Sequence, residues 1–134
     1  MIAEYQYEHS FIISSGMKEQ LDETTTMARL YIRIREVMNN EQPFLDPNLT
    51  LSKLARIVGT NRTDLSQTLN SQTKANFNKW LSTYRVNHIS LQIKAHPEKS
   101  LDELFPLSGF SSRTSFFRQF RQVTGKSPRE HKEE

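Results

Sequence analysis

At 134 residues the chain can enclose one ordinary core, or two very small ones on a shared element, which leaves no room for a large enzyme fold. It has no cysteine, so disulfides and thiolate metal sites are excluded. The net charge of +3 hides a split: residues 1–50 hold 4 Lys+Arg against 8 Asp+Glu, and residues 51–134 hold 14 against 7, giving −4 and +7. A basic C-terminal part joined to an acidic N-terminal part is the pattern expected when only the former meets phosphate.

Residues 1–25 show no sustained period, contain Ser14-Ser15-Gly16 and Thr24-Thr25-Thr26, and read as a connector or the remnant of an upstream region. The start Met1-Ile2-Ala3-Glu4 lacks a basic region, and the apolar run Phe11 to Ile13 is too short for a signal peptide or a span. The expected location is the cytoplasm, including the case in which the chain is the cytoplasmic end of a longer membrane receptor. Met27, Leu30, Tyr31, Ile34, Val37 and Met38 then recur at helical spacing, with Arg29, Arg33, Arg35 and Glu36 largely opposite. This amphipathic helix should end at Asn39-Asn40, before a connector held extended by Pro43 and Pro47.

Leu51, Leu54, Ala55 and Val58 form the apolar face of a short helix behind Thr50 as N-cap, and Gly59 supplies a tight turn. Asn61 then caps a second helix that buries Leu65 and Leu69. Helix, short glycine turn, helix is a helix-turn-helix candidate over about 49–74. The pattern returns over about 100–125. Leu101, Leu104 and Gly109 lie 50 residues after Leu51, Leu54 and Gly59, and Phe116 and Phe120 lie 51 after Leu65 and Leu69. Capping boxes at Ser100 to Glu103 and Ser127-Pro128-Arg129-Glu130 mark the helix starts of this part. Between the copies, about 76–96 lacks Gly and Pro and reads as one long helix, of a length near one turn of DNA. The expectation is an all-α fold of about seven helices, with two helix-turn-helix subdomains on a long linker helix and the domain running over 26–134.

Removing the buried positions from each second helix leaves the residues that could face base edges. In the first copy these are Asn61, Arg62, Thr63, Asp64, Ser66, Gln67 and Asn70. In the second they are Ser111 to Ser115, Phe117, Arg118, Gln119 and Arg121. Gln67 and Arg118 occupy equivalent places, Gln suiting adenine and Arg suiting guanine. Phe117 is expected to pack rather than to meet a thymine methyl. Lys53, Arg62, Lys79, Arg121, Lys126 and Arg129 are the phosphate candidates. No catalytic constellation, cofactor motif or metal-ligand spacing is present: His9, His88, His96 and His131 stand apart, and Asp102-Glu103 suit a helix first turn.

Leu54-Ala55, Leu65, Trp80, Tyr84-Arg85, Gly109-Phe110-Ser111, Phe116, Arg118, Phe120-Arg121, Gly125 and Ser127-Pro128 together resemble the AraC family of bacterial transcription regulators over about Met27 to Lys132. The resemblance implies seven helices, double-stranded DNA at promoters as partner, and a sensory domain in the same polypeptide. RNA polymerase is a further candidate partner, and the isolated domain is expected to be a monomer. Carried over residue by residue, base contacts fall on Thr63, Ser66 and Gln67 in the first unit and on Arg113, Thr114 and Arg118 in the second. Lys74 departs from the family's Gly, Leu69 from its Phe, Ile89 from its Ala. Phe105-Pro106 stands where the family has a small residue and a helix former, so a bend in the second unit is expected. That anomaly motivates the alternative reading, a protein-interaction module on a degenerate helix-turn-helix scaffold.

Overall fold

A computed structural model describes residues 15–134, with side chains from Thr25 onward; the readings of Met1 to Glu4, His9 and Phe11 to Ile13 lie outside the described residues. The described residues form seven α-helices: α1 (Ser15–Glu41), α2 (Leu51–Val58), α3 (Arg62–Thr73), α4 (Phe77–Ala95), α5 (Leu101–Leu104), α6 (Arg113–Thr124) and α7 (Pro128–Glu133). Two 3-10 turns, Pro43–Leu45 and Phe105–Leu107, lie between them.

Helix α1 starts inside the stretch read from sequence as a connector. Its threonine run costs only tenths of a kcal/mol per residue and contains no proline, so nothing there stops a helix. The predicted stripe does bury: Ile34 and Met38 are fully enclosed, and Leu30, Tyr31 and Val37 pack beside them. Arg33, assigned by periodicity to the polar face, is used structurally. Its Nε and Nη2 donate to the Val58 carbonyl at 3.1 and 2.9 Å, and Nη2 also reaches the Gly59 carbonyl at 3.1 Å. One guanidinium thus satisfies carbonyls that the end of α2 leaves open.

The core divides in two along α4. Trp80 and Leu81, from its N-terminal half, join Ile34, Met38, Phe44, Leu54, Val58, Leu65 and Leu69. Val86, Ile89 and Ile93, from its C-terminal half, join Leu104, Phe110, Phe116 and Phe120. Nineteen residues at ~1.5 Å each make this shared rod about 28 Å long. Asn76 caps it through a 2.9 Å bond from the Lys79 amide.

Buried Arg85 sits where the two cores meet. Its Nε donates to the Phe44 carbonyl at 2.7 Å, its Nη2 to the Asp46 carbonyl at 2.9 Å, and its guanidinium lies 5.7 Å from the Phe110 ring centre. Burial pushes this guanidinium down from its ordinary range, with nearby Asp46 opposing the shift.

Pro106 shortens the first helix of the second unit rather than unfolding it. Helix α5 is a single α turn ending at Leu104, and the chain tightens into the 3-10 turn that carries Pro106 near its start. Phe105 is accommodated at the margin of the core, half-buried, with its ring 5.8 Å from Phe116. The Ser127 box is reciprocal, whereas at Ser100 only the serine hydroxyl accepts, from the Glu103 amide at 3.1 Å.

Lys74 ends α3 in the left-handed region at φ 60°, the place that Gly125 takes after α6 at φ 78°. A side chain there costs about 1 kcal/mol. Lys74→Gly should therefore raise unfolding stability by about 1 kcal/mol, read as a higher urea midpoint at unchanged slope.

His88 stacks edge-on to Phe44 at 5.6 Å, and burial holds its pKa below the ordinary value. A base with a depressed folded pKa binds fewer protons than it does unfolded, so it costs stability as pH falls through the unfolded value near 6.5. The Tm should drop between pH 7.5 and 5.5, and His88→Gln should flatten that part of the curve.

Candidate nucleic-acid interface

Each second helix of a pair exposes the face opposite its core residues. In α3, Leu65, Thr68 and Leu69 are buried, which turns Arg62, Thr63 and Gln67 outward with Ser66 at the margin. Asn61 fixes the helix start, its Oδ1 accepting from the Asp64 amide at 2.8 Å. Thr63, Ser66 and Gln67 converge with Arg62 and Leu51 around an open groove of about 420 Å³. The three expected base-edge residues of the first unit are thus brought to one concave surface, and a phosphate candidate with them.

In α6, Phe116 and Phe120 are buried and Arg113, Thr114, Phe117, Arg118 and Arg121 are exposed. Ser112 caps it, accepting from the Ser115 amide at 3.1 Å. Arg118 and Gln67 have no hydrogen-bond or ion-pair partner among the described residues, so their donors are available to an external acceptor. Arg113 differs. Its Nε lies 3.2 Å from Asp102 Oδ1 and its guanidinium 5.1 Å from the Phe105 ring centre, so it is folded back across the start of the unit. Phe117 packs at 5.3 Å on Phe116 yet stays 41% exposed, so packing does not consume its outer edge.

The phosphate candidates scatter. Lys53 is exposed in the first turn of α2, and Arg121 and Arg129 are exposed on α6 and α7. Lys126 is paired with Glu134. Lys79 lies in a second, larger groove of about 620 Å³ that runs between the start of α4 and the outer flank of α6. Asn76, Asn78, Ser82 and Thr83 line it on one side and Gln119, Gln122 and Val123 on the other. Sequence reading missed this surface because its two walls come from different helices and share no periodic signal; of its α6 wall it singled out only Gln119.

His131 accounts for one of the isolated histidines: its Nε2 is 2.9 Å from Ser90 Oγ and its ring 5.5 Å from Phe120, which latches α7 to α4. No group of three or more His, Cys, Asp or Glu able to hold a metal occurs among the described residues, and none of their helices is long and apolar enough to cross a membrane.

A helix-turn-helix domain family model matches residues 54–134, which takes in most of both units. The chain belongs to the AraC-type helix-turn-helix family. That family consists of DNA-binding transcription regulators, not a class of enzymes. An uncharacterized HTH-type transcriptional regulator of Staphylococcus aureus (strain COL) is 25% identical over 100 residues. The match takes 75% of this chain but 13% of that protein, so the chain spans about an eighth of the length of the curated relatives it matches. Among solved structures, the C-terminal domain of AraT, a response regulator from Geobacillus stearothermophilus, aligns with TM-score 0.65 at 17% identity, over 78% of this chain and 83% of that one. A DNA-binding transcriptional dual regulator from Escherichia coli K-12 aligns with TM-score 0.65 at 22% identity, over 78% and 89%. The α5 shortening at Pro106 is therefore compatible with the shared all-α fold.

Asp102 places an anion beside the second unit's exposed face and engages the still-exposed Arg113. Asp102→Asn should release the guanidinium and raise affinity for duplex DNA a few-fold at low salt, with the gain shrinking as salt rises, measured by fluorescence anisotropy.

Proposed function

We propose that this domain binds double-stranded DNA sequence-specifically to regulate transcription, with α3 and α6 entering successive major grooves on one face of the duplex. One observation carries the reading: two exposed second helices are held on a single rod about 28 Å long, near the ~34 Å of one DNA turn. In this reading Thr63, Ser66 and Gln67 meet bases in one groove, and Thr114 and Arg118 in the next, joined by Arg113 once it leaves Asp102. Lys53, Arg62, Lys79, Arg121 and Arg129 steady the phosphates, and Lys126 does so if it parts from Glu134. The domain is the unit over 26–134, acting in the cytoplasm as part of a larger protein with a sensory domain, near promoters where RNA polymerase is its further partner. The short share of the relatives' length that it matches supports its being part of a larger protein. The principal apolar faces of the paired helices are buried in its own cores, which supports a monomeric isolated domain.

The test is selection of bound duplexes from a randomised library at near-physiological salt. Two enriched blocks about one helical turn apart are expected. Replacing Arg118 by Ala should then cost about 1–3 kcal/mol on the selected site and relax preference in one block only. Absence of any enrichment would sink this reading in favour of a protein-interaction module on the same scaffold, the alternative raised by Phe105-Pro106.

A further inference from the structure

The recognition surfaces sit on separate cores, so something must fix one core against the other. Helix α4 alone does not do this, because a unit can rock about a single rod. A contact that ties both halves to its middle restricts that freedom. Arg85 makes such a contact. From the waist of α4, between Leu81 of the first core and Val86 of the second, it donates to the Phe44 and Asp46 carbonyls at 2.7 and 2.9 Å. Those carbonyls belong to the 3-10 connector of the first half, whose Phe44 ring also packs on Tyr84 at 5.6 Å. The other face of the guanidinium lies against Phe110, in the turn of the second unit.

The turn itself comes close. Gly109 holds a left-handed φ of 83°, and a Cβ built on it would collide with the Phe44 carbonyl oxygen and lie 3.0 Å from Arg85 Nε. The connector of one half, the guanidinium, and the turn of the other half are thus stacked in direct contact. The planar fork suits this place: it reaches two carbonyls in fixed directions while offering a flat face to an aromatic ring, which a lysine ammonium does not do.

We propose that Arg85 is a positioning residue that sets the separation and angle between the two helix-turn-helix units, through the Phe44–Asp46 connector on one side and the Gly109–Phe110 turn on the other. For its DNA readout this rests on the function proposed above; for its structural readout it does not.

The chain lacks cysteine, so nitroxides placed at Asn70→Cys on α3 and Gln122→Cys on α6 report the distance between units without background. With Arg85 intact, double electron resonance should give one narrow distance distribution. Arg85→Lys, confirmed folded by circular dichroism, should widen it to about twice that width; an unchanged width overturns the proposal. In the duplex selection, Arg85→Lys should still enrich both blocks but with their separation spread over neighbouring spacings, whereas one spacing as sharp as that of the parent also overturns it. If the parent chain itself enriches a single block or none, the two-groove reading fails while the distance measurement still decides the role of Arg85. Arg85→Gln, which keeps an amide donor for the Phe44 carbonyl, replaces the lysine variant if that does not fold. Loss of folding in both would make Arg85 a general stability residue and overturn its positioning role.

Discussion

Both hydrophobic cores hang on one helix. Trp80 and Leu81 serve the first and Val86, Ile89 and Ile93 the second, so α4 has to present apolar residues on more than one side along its length. A helix committed in this way buries residues around most of its circumference and keeps only a narrow polar strip of Lys79, Thr83, Asn87 and Lys94, which explains why its apolar residues do not follow a single stripe. It also explains why each half needs so few further elements. A core of eleven buried residues and one of seven would each be marginal alone, and sharing a rigid wall spares each the cost of building it.

Much of this was legible beforehand because the strongest local signals agreed with the tertiary answer. Thr50, Asn61, Ser100 and Ser127 all cap where their chemistry says they should, and the apolar sets lying fifty-odd residues apart are buried in both halves, although α5 is only half as long as α2. The start of α1 escaped because weak helix formers do not stop a helix that nothing else interrupts. Arg33 and Arg85 escaped for a common reason. Periodicity sorts residues by whether they face solvent, and says nothing of a long side chain that reaches carbonyls some 25 to 41 positions away.

The candidate site was legible to a different degree. Removing the buried positions from α3 and α6 leaves a set that the structure exposes except for Ser66, Ser115 and Gln119, which are half-buried, since burial on a short helix is nearly a matter of counting. What counting missed is how those side chains are occupied. Arg113 is engaged by Asp102 and Phe105, and Lys126 by Glu134, whereas Gln67 and Arg118 are open. The groove along Lys79 is likewise a product of tertiary assembly.

The brevity of α5 bears on how the molecule assembles. A four-residue helix contains about one turn, well below the length at which helices persist by themselves, because nucleation costs more than one hydrogen bond returns. It forms only against neighbours already in place, and those are α4 and the phenylalanines of α6. The first half, with the 27-residue α1 and the eight-residue α2, carries less of this dependence. On a ribosome the chain would therefore emerge with α3 able to dock before α6 exists, and the late half would be templated on the rod that the early half has already ordered.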